Sequence, residues 1–190
     1  MQLKKIVIIG PESTGKSTLC EQLALHYNTR WVPEYAREYL LEHGMNYTSD
    51  DLLQIAKGQL ALEDKFAAEV QDATRKGPPV LFIDTNMYVM RVWCEFVFRN
   101  CHSWILEQLD KRKYDLYLLC NVDLPWIKDE LREYPDLETR KHLYNIYRTL
   151  MEEQDTPWAD ISGNYEERLE KAITTVDSLV LHNIAYRDKL

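Results

Sequence analysis

No stretch of the 190 residues approaches the ~18–20 consecutive apolar side chains that span a bilayer, so no helical membrane anchor is expected. The start, Met1-Gln2-Leu3-Lys4-Lys5 before Ile6-Val7-Ile8-Ile9, has too short an apolar part for a secretion signal and runs straight into Gly10-Pro11-Glu12. Positive charge is also short: 23 Lys and Arg stand against 31 Asp and Glu, a net charge of −8. DNA and anionic membranes would be repelled on average, which leaves room only for a local basic pocket around a small phosphate ligand. Cysteine is sparse. Cys20, Cys94, Cys101 and Cys120 form no CxxC pair and read as reduced packing thiols of a cytoplasmic protein. Cys101 beside His102 lacks the second Cys/His cluster that a zinc site needs. Repeats, low-complexity tracts and linkers are missing too, so residues 1–190 are expected to form one domain.

What is present suits a folded α/β chain. Apolar residues make up 45% and charged residues 28%, enough for a sizeable core. Short apolar runs alternate with longer helical patterns, which predicts a parallel sheet covered by helices. Ile6 to Ile9 reads as a central strand, buried on both faces. Thr29 to Val32, Val80 to Ile83, Leu116 to Cys120 and Asp160 to Ser162 read as the other four. Helices are expected over Ser17–Tyr27, Glu34–His43, a stretch N-capped by Ser49 and stopped at Gly77-Pro78-Pro79, Met87–Phe98, Ser103–Leu109 and about Tyr165–Leu181. Trp126 to Met151 reads as a polar helical region interrupted near Tyr134-Pro135.

The strongest motif is Gly10-Pro11-Glu12-Ser13-Thr14-Gly15-Lys16-Ser17-Thr18, which fits G-x-x-x-x-G-K-[ST] between a strand and a helix. Its glycines permit backbone conformations closed to other residues, so successive N–H groups can line a concave anion site at the positive end of a helix dipole. Lys16 brings a charge to the β and γ phosphates, and the Ser17 hydroxyl suits Mg²⁺. A nucleoside triphosphate, ATP or GTP, with Mg²⁺ is the expected ligand.

The motif serves switches, motors and phosphotransferases alike. Guanine recognition by N-K-x-D is lacking, since Cys120 leads into Asn121-Val122-Asp123. There is no D-x-x-G after Asp84, and the strand ends Ile83-Asp84-Thr85 without the water-activating Glu of a motor. A small-molecule kinase remains. In a parallel sheet the C-terminal strand ends converge on one crevice, so Glu34 and Asp84 should both face the ligand. Either carboxylate can take the acceptor's hydroxyl proton, and Asp84 can instead hold Mg²⁺; each can also be an ordinary helix-start or strand-end acid. Arg132 and Arg140 flank the Tyr134-Pro135 break as in a mobile lid over about residues 127–143, although the same charges also suit a solvated helix face. Arg37 either binds substrate or structures Glu34. Trp31, Tyr35, Tyr39, Tyr88 and Trp93 lie near the crevice, where a nucleobase or a cationic pyridinium ring would stack, with Tyr35 and Tyr88 taken as acceptor contacts.

The phosphate loop, Glu34-Tyr35-Ala36-Arg37-Glu38-Tyr39, Phe82-Ile83-Asp84-Thr85-Asn86, Tyr114-Asp115-Leu116 with Pro125-Trp126, and Ile161-Ser162-Gly163-Asn164-Tyr165 with Arg168 follow one another in an order that resembles the ribosylnicotinamide kinase domain of the bifunctional nicotinamide-nucleotide adenylyltransferase/ribosylnicotinamide kinase family. The resemblance covers nearly the whole chain. It implies a three-layer nucleoside/nucleotide-kinase-like P-loop fold with strand order 2-3-1-4-5. It also implies ATP-dependent phosphorylation of the 5′-hydroxyl of nicotinamide riboside in NAD salvage, with Asn164 and Tyr165 near the adenine. The H-x-G-H signature of the adenylyltransferase is lacking here, so dinucleotide synthesis and gene repression are not expected of this chain. A kinase of another nucleoside or of a nucleoside monophosphate, and a non-catalytic ATP sensor, are the alternatives.

Overall fold

Ile6-Val7-Ile8-Ile9 behaves as a strand buried on both faces should: all four residues are fully inaccessible. They belong to β1 (Lys4–Ile9) in the computed structural model, which describes residues 2–72 and 79–181. β1 pairs in parallel with β3 (Val80–Asp84) on one side and β4 (Leu116–Cys120) on the other. β2 (Arg30–Val32) flanks β3 and β5 (Trp158–Ile161) flanks β4, giving an all-parallel sheet in the order β2-β3-β1-β4-β5. This is the strand order implied by the resemblance.

The two-residue period of the strands divides the core. Ile6, Ile8, Phe82, Leu116 and Leu118 pack against α1 (Lys16–His26) and α7 (Tyr165–Val176) through Leu19, Leu23, Ala172 and Val176. Val7, Ile9, Leu81, Ile83 and Leu119 face the opposite way, toward α6 (Leu137–Glu153) with Leu143, Tyr147, Leu150 and Met151. A third apolar cluster joins α2 (Tyr35–His43), α3 (Ser49–Asp72), α4 (Met87–Phe98) and α5 (Ser103–Lys111) around Leu40, Ile55, Met90 and Ile105.

Three boundaries depart from the sequence reading, and a fourth is not described. Thr48, not Ser49, caps α3: the Thr48 hydroxyl accepts from the Asp51 N–H at 3.3 Å, while the Asp51 carboxylate accepts from the Thr48 N–H at 2.8 Å, a reciprocal box. The Gly77-Pro78 stop lies outside the described residues. β5 begins at Trp158 rather than Asp160, because Trp158 to Ile161 pair residue by residue with Tyr117 to Cys120. The last helix is α-helical only to Val176 and continues as a single π turn over Asp177–Leu181.

The region from Trp126 to Met151 differs most. Only Leu137 onward is helical, capped by the Asp136 carboxylate on the Thr139 N–H at 2.7 Å. Pro135 disfavours helix at Tyr134, and side-chain carboxylates take the preceding amides instead. Asp129 accepts the Leu131 N–H at 3.1 Å, and Glu12 accepts those of Glu133 and Tyr134. The segment expected as a lid over 127–143 is therefore an irregular strap followed by the first turns of α6.

Candidate active site

The phosphate loop bridges the end of β1 and the start of α1, at the carboxyl ends of the strands. Gly10 takes φ 136°, and a Cβ there would sit 2.7 Å from the Cys120 carbonyl oxygen, so only glycine lets the loop leave β1 against β4. Gly15, at φ 77°, caps α1 with Leu124 and Tyr165 packed beside it. Ser13 is also left-handed, at φ 56°, a conformation that costs energy without glycine and must be held by its surroundings.

Two buried arginines supply that hold. Arg140, 2% exposed, donates from Nη2 to the Ser13 carbonyl at 3.3 Å and to that of Leu124 at 3.5 Å. Arg168, also 2% exposed, donates to the carbonyls of Thr14 at 2.9 Å, Asn121 at 3.0 Å and Gly163 at 2.7 Å, and pairs with Asp123. In a trans peptide the carbonyl of one residue and the N–H of the next point in opposite directions. Drawing the Ser13 and Thr14 carbonyls toward the arginines therefore turns the Thr14 and Gly15 N–H groups the other way, as an anion cradle requires. The Thr14 hydroxyl, fully buried, closes the turn by donating to the Pro11 carbonyl at 2.7 Å.

Lys16 lies across this loop and donates from Nζ to the Pro11 carbonyl at 2.9 Å. Ser17 donates to Asp84 Oδ2 at 2.5 Å. Asp84 ends β3 fully buried. Burial, and after it the nearby Glu34 carboxylate, push its pKa up to about 7, against the opposing pull of Lys16 and the hydrogen bonds from Ser17 and Thr85. Thr85, held at φ 75°, donates to Glu34 Oε1 at 3.3 Å and links the two acids. Their spacing is set from behind by Gln59 of α3, 1% exposed: its oxygen accepts the Tyr35 N–H at 2.8 Å and its amide nitrogen donates to the carbonyls of Pro33 and Asp84. Ser17 and Asp84 offer hard oxygens at one point, and the Asp84 carboxyl is buried without a full counter-ion, a donor set that fits Mg²⁺ completed by phosphate and water.

A cleft of about 500 Å³ runs from this loop toward β2, α2 and α4. The loop residues Gly10 to Thr18 line one end, with Tyr165 beside Gly15. Trp31, Glu34, Arg37, Trp93, Phe96 and Tyr147 line the other, and the strap covers it with Asp129, Arg132, Glu133 and Tyr134.

Several expected site residues are placed elsewhere. Asp84 lies beneath the cleft and reaches it through Ser17, so direct contact with an acceptor does not fit. Tyr35 does not line the cleft: its ring covers Gly58, where a Cβ would come within 2.1 Å of it. Tyr88 turns away too, edge-on to Tyr117 with ring centres 5.6 Å apart. Tyr39 stacks on His43 and donates to Asp51. Arg140 does not lie over the phosphate position but is buried behind the loop, so the role of a mobile lid arginine does not fit it. Arg132 does line the cleft and donates to the Ile127 carbonyl. Arg37 pairs with Asp129 at 3.1 Å and so ties α2 to the strap rather than structuring Glu34. Asn164 caps α7 on the Glu166 and Glu167 amides, and only its neighbour Tyr165 lines the cleft. Gln59, Arg168 and Phe96 were not singled out for roles in the sequence. Gln59 is the polar interruption of the buried α3 stripe of Leu52, Ile55, Ala56 and Leu60, and that was its one visible signal.

Comparison with known proteins follows the same lines. The chain is 26% identical over 185 residues to the trifunctional NAD biosynthesis/regulator protein NadR of Escherichia coli (strain K12), and 24% identical over 185 residues to the protein of that name from Salmonella typhimurium (strain LT2). Each match covers 94% of this chain but 43% of the relative, so the chain spans less than half the length of these relatives. A NadR protein solved in complex with NR has the same fold, with a TM-score of 0.75 at 24% identity over 93% of this chain and 49% of that one. Thymidylate kinase from Ehrlichia chaffeensis shares it more distantly, with a TM-score of 0.67 at 13% identity over 93% of this chain and 99% of that one. The architecture is thus the P-loop kinase fold. A family model described as an AAA domain matches residues 5–168, and the chain belongs to that AAA domain family.

Proposed function

We propose that this protein is an ATP- and Mg²⁺-dependent kinase that phosphorylates the 5′-hydroxyl of nicotinamide riboside, yielding the mononucleotide. The observation that carries the reading is one cleft lined both by the phosphate loop and by Trp31, Trp93 and Phe96, with Glu34 in the same wall. Fold kinship with a NadR protein in complex with NR supports it.

The roles follow from placement. The loop amides and Lys16 grip the triphosphate, Lys16 exchanging the Pro11 carbonyl for phosphate oxygens. Ser17 and Asp84 would hold Mg²⁺, which when bound neutralises charge developing between the β and γ phosphates. Glu34, half-buried at the cleft wall, takes the hydroxyl proton as the oxygen attacks phosphorus. Arg132 of the strap adds positive charge over the moving phosphoryl group, and Tyr165 lies at the adenine end.

The chamber offers an acceptor aromatic faces beside a carboxylate. Its acids are Glu34, Asp129 and Glu133; of the cations beside them, Arg37 is paired with Asp129, Arg132 donates to the Ile127 carbonyl, and Lys128 is the third. A pyridinium ring between Trp31, Trp93 and Phe96 would find cation–π faces in the same cleft wall as the Glu34 carboxylate. Incubating the protein with Mg²⁺·ATP and nicotinamide riboside, other nucleosides or nucleoside monophosphates, and reading products by mass, tests this. Phosphorylated nicotinamide riboside is expected foremost. Absence of acceptor-dependent ADP, or transfer only to monophosphates, would overturn it.

A further inference from the structure

Glu12 occupies a position that the phosphate-loop pattern leaves free, yet an ionised carboxylate offers a triphosphate no proton and repels it. Its bonds lie elsewhere. Oε2 accepts the Glu133 N–H at 3.0 Å, and Oε1 accepts the Tyr134 N–H at 2.6 Å and the Trp126 indole N–H at 3.5 Å. All three donors belong to the strap. The next loop residue repeats the arrangement, its Ser13 hydroxyl accepting the Ile127 N–H at 3.0 Å. The strap has no regular secondary structure between residues 126 and 136, so these amides lack helical partners and depend on side chains of the phosphate loop.

Between the two anchored ends lies Arg132. It immediately precedes Glu133, lines the cleft, and donates to the carbonyl of Ile127, whose own N–H is held by Ser13. Both ends of the strap around Arg132 are thus fastened to the loop that grips the phosphates. We propose that Glu12 is a positioning residue: by accepting the strap amides it sets Arg132 over the transferring phosphoryl group. This rests on the kinase reading of the cleft and assigns Glu12 no contact with nucleotide. A charge on a strap fastened to the loop that grips the phosphates is aligned without a separate closing step, and misplacing it by an ångström is costly.

Four proteins test the proposal: wild type, Glu12→Ala, Arg132→Ala and the double variant. Glu12→Ala is expected to lose ~10–100-fold in kcat with KM for ATP within about threefold. The double variant should be no slower than Arg132→Ala beyond about twofold, because the effect of Glu12 passes through Arg132. Glu12→Gln keeps the shape but turns an NH₂ toward one backbone donor, and should fall between wild type and Glu12→Ala. Losses that multiply in the double variant, a raised KM at unchanged kcat, or wild-type turnover in Glu12→Ala would each overturn the proposal. Amide hydrogen exchange, read without acceptor, is the second measurement. Glu133 and Tyr134 should exchange ~10-fold or more faster in Glu12→Ala while β1 and α1 stay protected, and unchanged exchange would overturn it. Wild type that turned over no acceptor at all would instead overturn the kinase reading and the role of Arg132 with it.

Discussion

The two ends of the cleft are built in different ways. The phosphate end is nine consecutive residues whose working groups are mostly main-chain amides, oriented from behind by Arg140 and Arg168. The acceptor end is assembled from side chains on β2, α2, α4, α6 and the strap, elements far apart in sequence. A backbone-built site is insensitive to most substitutions but intolerant of a change at its glycines or its lysine. A side-chain-built site changes chemistry one residue at a time. The fold is shared with a NadR protein and with a thymidylate kinase, and a fold alone does not fix what its side-chain-built sites take.

The sharpest way to separate the two ends is to disable each. Glu34→Gln should lose ~10²–10⁴ in turnover while affinity for a non-hydrolysable ATP analogue stays within about threefold. Lys16→Ala should lose ~10²–10³ in turnover and also weaken the analogue, since no other group replaces its charge on the phosphates. Calorimetry beside steady-state rates distinguishes the two patterns. Equal losses of analogue affinity in both variants would place Glu34 at the donor end and dissolve the comparison.

Asp84 sits at the join, and its protonation gives the next largest effect. Its pKa is raised from 3.8 to about 7 in the folded chain, so between those values the native state keeps a proton that the unfolded state has lost. Its contribution is therefore fully present below about pH 4 and is lost as pH rises through about 7, on the order of a few kcal/mol. In EDTA, wild type should lose Tm from pH 5 to pH 8 more steeply than Asp84→Asn, and the variant should be the more stable at pH 8. Parallel curves would mean that Asp84 is ionised throughout. With Mg²⁺·ATP the order of merit reverses, because the variant gives up a charged ligand for the cation and should lose most turnover.

What the amino-acid sequence alone reveals follows the same division. The loop, its lysine and the strand before it are contiguous, so their pattern alone announces a phosphate cradle. Glu34 and Asp84 were recoverable because parallel strands bring their carboxyl ends to one side. The strap was not. Its charges at helical spacing suggest a helix, but Pro135 and the competing carboxylates of Glu12 and Asp129 decide against one, and the first of these is more than a hundred residues away. Arg140 reads as a lid arginine or a solvated helix charge and Arg168 only as part of the family resemblance, because what buries them is a row of main-chain carbonyls, which no side-chain pattern encodes. Tyr35 and Tyr88 show the reverse error. Proximity along the chain to Glu34 and Asp84 placed them near the cleft, whereas helix geometry turns both rings into packing.

The arginine clamp joins these strands of argument and is open to a direct test. Arg168→Lys keeps the charge near Asp123 but cannot reach the carbonyls of Thr14, Asn121 and Gly163 together. Stability should fall by ~1–3 kcal/mol. ATP-analogue affinity should fall ~10-fold, as the Gly15 amide loses its fixed direction; KM for the acceptor should stay within twofold. Loss of acceptor affinity in step with the nucleotide would show that the clamp supports the whole cleft rather than its phosphate end.

Asp129→Asn is the smallest change and bears chiefly on the acceptor end, because the amide oxygen of Asn can still accept the Leu131 N–H of the strap. It removes one acid from the chamber and releases Arg37 from its 3.1 Å pair, so the local charge shifts by one unit toward positive. If the acceptor is a cation, its KM should rise about threefold at low ionic strength. Because the pair lies at the cleft mouth, that penalty should shrink as salt shortens the Debye length to roughly 3 Å near 1 M. The KM for ATP should not move, since the nearest phosphate contacts are backbone groups and Lys16. A variant that bound a cationic acceptor as well as wild type at every salt concentration would show that ring stacking, and not charge, selects what enters. In that case an uncharged aromatic nucleoside should compete with the pyridinium on equal terms, and the same product panel would reveal it.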